Sequence, residues 1–174
     1  AGAPDAIGGR WVPGPGAAFF EALQETLGAL PIIAEDLGTI TPDVIALREQ
    51  VGLPGMCVLQ FAFGDDAGNL YLPHNLKRDS VLYTGTHDND TSAGWFGSAS
   101  PHERRFAQIY LKTDGHEIHW DLIHAASASI ATLAIHPLQD VLGLGSEHRM
   151  NIPGQAEGNW GWRFSWSQIQ DWHA

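Results

Sequence analysis

The sequence has 174 residues, 44% of them hydrophobic and 17% charged, enough for one soluble domain with a packed core and too apolar for a disordered chain. Nine Lys and Arg against 20 Asp and Glu leave a formal charge of −11. The continuous basic face that a nucleic-acid backbone or an anionic membrane demands is therefore hard to assemble, and neither is expected as a partner.

The one cysteine, Cys57, excludes an internal disulfide framework and a cysteine-based zinc cluster. Set in the apolar run Met56-Cys57-Val58-Leu59, it reads as a buried, inert thiol of a protein from a reducing compartment. No run reaches the roughly 18 apolar residues that span a bilayer. The opening Ala1-Gly-Ala-Pro-Asp5 has neither the basic start nor the apolar segment of a secretory leader, and it lacks an initiating Met, so the sequence is read as beginning inside a longer or processed product.

In chain order, residues 1–16 are broken by Gly and Pro into a loop. Phe19, Phe20, Leu23 and Leu27 fall at helical spacing and predict a helix over Ala17–Leu27, closed by Gly28. Ile32-Ile33-Ala34 reads as a short, fully buried strand ending in Glu35 and Asp36. Thr41-Pro42-Asp43 has the grammar of a helix start, with a capping hydroxyl, proline at the first position and an acid in the first turn; Gly52 lies beyond its end. Met56–Phe61 and Ser80–Thr84 are predicted as buried strands, the second running into Gly85-Thr86-His87-Asp88-Asn89-Asp90. Ser100-Pro101-His102-Glu103 is a capping box opening a helix to about Leu111, Trp120–Ser127 reads as another helix, and Ile130–Ile135 as a fourth strand. Strand and helix alternate as in parallel α/β proteins, with no dividing linker, although the Gly- and Trp-rich tail from Gly143 departs from the pattern.

Two acids stand where such folds bind substrates. Glu35 and Asp88 each follow a strand, and the C-terminal ends of parallel strands form the rim of the binding face. Carboxyls converging there can do acid/base work. The same acids can equally cap a following helix or accept loop hydrogen bonds, and the strand pattern alone leaves both readings open.

Other signals fail their own requirements. Asp88-Asn89-Asp90 lacks the glycine and the closing glutamate of a calcium loop, and His116 and His119 miss the i,i+4 spacing of a zinc helix. No phosphate-cradling loop or nucleophile elbow occurs. The seven tryptophans offer flat faces on which sugar rings could stack, most of them serving as packing.

Several segments nevertheless match one family in order and along nearly the whole chain. Gly8-Gly-Arg-Trp-Val-Pro-Gly-Pro-Gly16, Pro31-Ile-Ile-Ala-Glu-Asp-Leu-Gly-Thr-Ile-Thr-Pro-Asp-Val44, Gly52-Leu-Pro-Gly-Met-Cys-Val-Leu-Gln-Phe-Ala-Phe63, Tyr71-Leu-Pro-His-Asn75, Val81-Leu-Tyr-Thr-Gly-Thr-His-Asp-Asn-Asp90 and Ala134-Ile-His-Pro-Leu-Gln-Asp-Val-Leu-Gly-Leu-Gly145 resemble the 4-α-glucanotransferases, the amylomaltases and disproportionating enzymes of the α-amylase clan. The resemblance implies a (β/α)8 barrel, of which residues 1–174 would be a partial catalytic domain covering about strands five to eight. It implies a cytoplasmic enzyme, without a cofactor, that moves α-1,4-glucan segments between acceptors by a retaining double displacement. By the same resemblance Glu35 is the general acid/base and Asp88 the second carboxylate, which stabilises the oxocarbenium-like state. His87, Phe61 and Asn151 are sugar contacts, and Asp36 is structural.

Departures accompany the match. The family's nucleophilic Asp stands in an Arg-Ile-Asp-His-Phe-Arg-Gly-like segment that is absent from these residues, and His124 and Gly161 occupy positions where relatives often carry Arg. The chain alone is therefore expected to be inactive. The alternative expectation is a non-catalytic glucan-binding or scaffold module that needs a partner chain to complete its barrel.

Overall fold

A computed structural model describes residues 7–10 and 12–170; Trp11 and Trp172 lie outside them, as do the rest of residues 1–6 and 171–174. Helices form where the local grammar is strongest. α1 spans Ala17–Leu27 and ends at Gly28, whose positive φ of 77° suits a residue without Cβ and whose N–H donates to the Gln24 carbonyl. α2 spans Pro42–Gln50 behind Thr41, whose hydroxyl does not make the predicted capping bond to the helix backbone but turns to the Asp43 carboxyl and helps hold it below its usual range. Neither helix contributes a fully buried residue.

Three strands follow, β1 (Gly55–Val58), β2 (Ser80–Tyr83) and β3 (Leu133–Ile135), all parallel in the order β1-β2-β3. Between β2 and β3 lie α3 (Ser92–Ser98), α4 (Pro101–Leu111) and α5 (Ile118–Ser127); the short α6 (Leu138–Val141) comes after β3. The predicted capping box of Ser100 and Glu103 opens α4, and the Ser100 hydroxyl and backbone N–H hold the Glu103 carboxyl below its usual range.

Alternation along the strands separates two faces. The register partners Cys57, Leu82 and Ala134 point to the helical side, where Leu59, Phe63, Leu72 and Leu122 form the core. Burying each of those large side chains contributes about 2 kcal/mol. The neighbouring set, including Met56, Tyr83 and Ile135, lines an open cleft.

The structure corrects several predicted boundaries. Ile32–Ala34 is reduced to one bridge, Ala34 to Gly55, and Ile33 is exposed. The strand expected over Met56–Phe61 stops at Val58 and turns into a 3-10 helix over Leu59–Phe63, while the Gln60 N–H still donates across to the Thr84 carbonyl. The fourth strand begins at Leu133 rather than Ile130, and Leu133 is exposed, so burial on both faces does not hold for it. Cys57 is half-buried, not buried, with its thiol pushed up to about 11 chiefly by burial.

Candidate active site

The loop after β2 is fixed before it reaches solvent. The Thr84 hydroxyl donates to the Asp140 carboxylate (2.6 Å), which also accepts from the Ser92 N–H and hydroxyl (both 2.7 Å). Asp140 is 1% exposed, so this carboxylate ties the end of β2, the start of α3 and α6 together in the interior. Gly85 passes so close to Gln60 that a Cβ there would sit 2.6 Å from Nε2. Gln60 in turn donates to the Asp90 carbonyl (2.9 Å), closing the loop on its other side.

Within the loop, the Thr86 N–H and hydroxyl both donate to Asn89 Oδ1, and Asp88 N–H donates to the Thr86 hydroxyl. The turn thus consumes its own polar groups and leaves His87 and Asp88 facing out, each about half exposed. Asp88 Oδ1 accepts from Asn151 Nδ2 at 2.6 Å and lies 3.4 Å from His87 Nε2. Arg149 Nη2 donates to the Asp88 carbonyl, and Arg149 Nε donates to the Asn151 carbonyl (2.8 Å), so one short segment holds both the backbone and the carboxylate of Asp88.

Glu35 reaches the same cleft from the other side. Its neighbour Asp36 is engaged elsewhere: it pairs with Arg48 and accepts from the Met56 N–H at 2.8 Å, clamping the Ala34 segment beside β1. Glu35, free of that clamp, lines a cleft of about 660 Å³ together with Phe61, His87, Asp88 and Trp160. That volume lies within the roughly 300–1,000 Å³ usual for ligand pockets. Phe61 projects from the 3-10 turn with 45% of its surface exposed and its ring edge against Tyr71, an apolar platform held in place from behind. The walls are largely apolar, with carboxylates and amides placed at the rim, which suits a neutral polyhydroxyl ligand.

A protein-family model described as 4-alpha-glucanotransferase matches residues 1–169. The chain belongs to the 4-alpha-glucanotransferase family. It is 53% identical over 171 residues to the 4-alpha-glucanotransferase of Thermus thermophilus, covering 94% of this chain and 34% of that protein. The Synechocystis enzyme of the same name is 55% identical over 174 residues, again with 34% of its length covered. Among solved structures, amylomaltase from Streptococcus agalactiae in complex with acarbose superposes with a TM-score of 0.88 at 34% identity, over 94% of this chain and 34% of that one. The chain thus spans about a third of the length of the curated relatives it matches, and shares its fold with part of an amylomaltase.

For this 4-alpha-glucanotransferase family member, the structure brings Glu35, Phe61, His87 and Asp88 to one cleft, and Asn151 joins them through its hydrogen bond to Asp88. His124 lies away from the cleft, on α5 with its ring against Trp120. Sequence reasoning missed Arg149, Trp160 and Asp140, whose roles depend on contacts with residues far away in sequence; no local periodicity marks them. It also missed His136, which enters the cleft just after β3 and is pushed below the ordinary histidine range by burial, with Asp140 pulling the other way. Among the described residues no group of three or more His, Cys, Asp or Glu is placed to hold a metal ion, and no helix is long and apolar enough to cross a membrane.

Proposed function

We propose that the chain supplies part of the catalytic cleft of a cytoplasmic 4-α-glucanotransferase, a (β/α)8 barrel of which these residues form about strands five to eight. The observation that carries this reading is the convergence of Glu35, just after the Ala34 bridge, and Asp88, in the loop after β2, on one cleft walled by Phe61 and floored by Met56 and Tyr83. The family match and the acarbose carried by the Streptococcus agalactiae amylomaltase support an α-1,4-glucan as its ligand.

In this reading the Glu35 carboxyl donates its proton to the glycosidic oxygen as the bond to C1 breaks, and an aspartate from outside these 174 residues takes C1. The resulting Glu35 carboxylate then removes the proton from the 4-hydroxyl of an acceptor glucan, whose oxygen displaces the aspartate with net retention. Asp88, oriented by Asn151 and Arg149, faces the developing positive charge and the donor-sugar hydroxyls, where a fixed carboxylate stabilises the transition state more than the ground state.

The test uses the full-length polypeptide incubated with maltotriose. The parent yields longer oligosaccharides, and Glu35→Gln lowers transfer by about a thousandfold or more, the upper range for loss of general acid/base catalysis. Near-normal transfer by that variant refutes the role, and glucose and maltose as sole products refute transfer in favour of hydrolysis.

A further inference from the structure

Trp160 has a left-handed backbone, with φ of 61°. A bulky side chain is rarely found there, because Cβ crowds the following carbonyl. The surroundings hold the strained residue at both ends. Its N–H donates to the Met150 carbonyl (2.8 Å), its carbonyl accepts from Arg163 Nη1 (3.0 Å), and Asn159 braces the loop by accepting from the Ile152 N–H and donating to the Gln155 carbonyl.

Core packing does not account for this arrangement, since Trp160 is 55% exposed. The indole instead lies over the His87 ring, with centroids 4.9 Å apart and planes tilted by 40°, on the cleft wall beside Asp88. One segment therefore grips the site twice: Arg149 and Asn151 hold Asp88, and Trp160 caps His87, whose Nε2 faces the same Asp88 oxygen. Strain maintained by redundant hydrogen bonds at a cleft is a mark of preorganisation.

We propose that Trp160 is a positioning residue for sugar transfer, its left-handed backbone fixing the indole so that His87 is held against Asp88 while the free part of the ring covers the bound hexose. This deepens the glucanotransferase reading and rests on it.

The experiment compares parent, Trp160→Gly and Trp160→Phe in the full-length polypeptide. Gly relieves the strain as it deletes the indole, so the melting temperature stays level or rises. The kcat for maltotriose disproportionation falls by about tenfold or more, with a smaller change in KM, and Phe restores it to within about threefold. Transfer by Trp160→Gly within about twofold of the parent, a loss matched by lost thermal stability, or a Phe variant as defective as Gly overturns the proposal. An active parent with an indifferent Trp160→Gly overturns this role alone, whereas a parent that transfers nothing overturns the glucanotransferase reading and this role with it.

Discussion

Replacing Asp140 by Ala removes a carboxylate that is 1% exposed and leaves three donors without an acceptor: the Thr84 hydroxyl, the Ser92 hydroxyl and the Ser92 N–H. A buried donor deprived of its partner costs about 1–3 kcal/mol, and bonds to a charged acceptor lie toward the upper end. The two hydroxyls can rotate toward other acceptors, but the amide of Ser92 cannot. The expected loss is about 3–5 kcal/mol, a large fraction of the 5–15 kcal/mol that holds a typical domain folded. Asp140→Asn is the control. Its carbonyl oxygen can still accept from the Ser92 amide and its NH2 can donate to the hydroxyls, so a loss of about 1 kcal/mol is expected. Urea unfolding followed by tryptophan fluorescence reads both variants. An Ala variant within about 1 kcal/mol of the parent, or an Asn variant as unstable as Ala, refutes the view that this carboxylate anchors the loop bearing His87 and Asp88.

Gly55→Ala drives a Cβ into the Arg48 and Asp36 ion pair and is expected to lower stability by about 2 kcal/mol in the same urea experiment. Cys57, with its thiol at about 11 because burial and the nearby Asp36 charge oppose the thiolate, should react with iodoacetamide at pH 7 about 300-fold more slowly than a free thiol of pKa about 8.5, as measured by mass spectrometry. Burial pushes His119 and His136 below the ordinary range, so the unfolded chain binds more protons between their folded values and about 6.5. Their stabilising contribution is complete above about pH 6.5 and is lost as pH falls through the folded values. The melting temperature should therefore drop on acidification below about pH 6.5, and less steeply in a His119→Gln/His136→Gln variant.

What the sequence disclosed is what local chemistry decides. The helices Ala17–Leu27 and Pro101–Leu111 were legible to the residue because proline, capping hydroxyls and terminal glycine act within one turn. α3 escaped notice because Gly94 and Gly97 weaken it, and it forms where Thr91 caps it, Asp140 binds its first turn and α5 packs against it. The strand after Pro54 was drawn too long because an apolar run reads alike as strand or 3-10 turn, and the structure turns at Leu59. The same division holds at the cleft. Glu35 and Asp88 stood out as acids at strand ends, whereas Arg149 and Trp160 take their meaning from partners 60 or more residues away.

That separation bears on how the molecule is made. The Asp88 carboxylate and carbonyl accept hydrogen bonds from residues 63 and 61 positions downstream. Closing such a span costs chain entropy that grows with the logarithm of its length, and its few polar bonds return little until β2, β3 and the intervening helices have already shortened it. On this reasoning the cleft is expected to be among the later parts of this chain to assemble during folding. A nascent chain is then expected to carry a formed sheet before an oriented Asp88, and ligand binding to report the end of folding rather than its beginning.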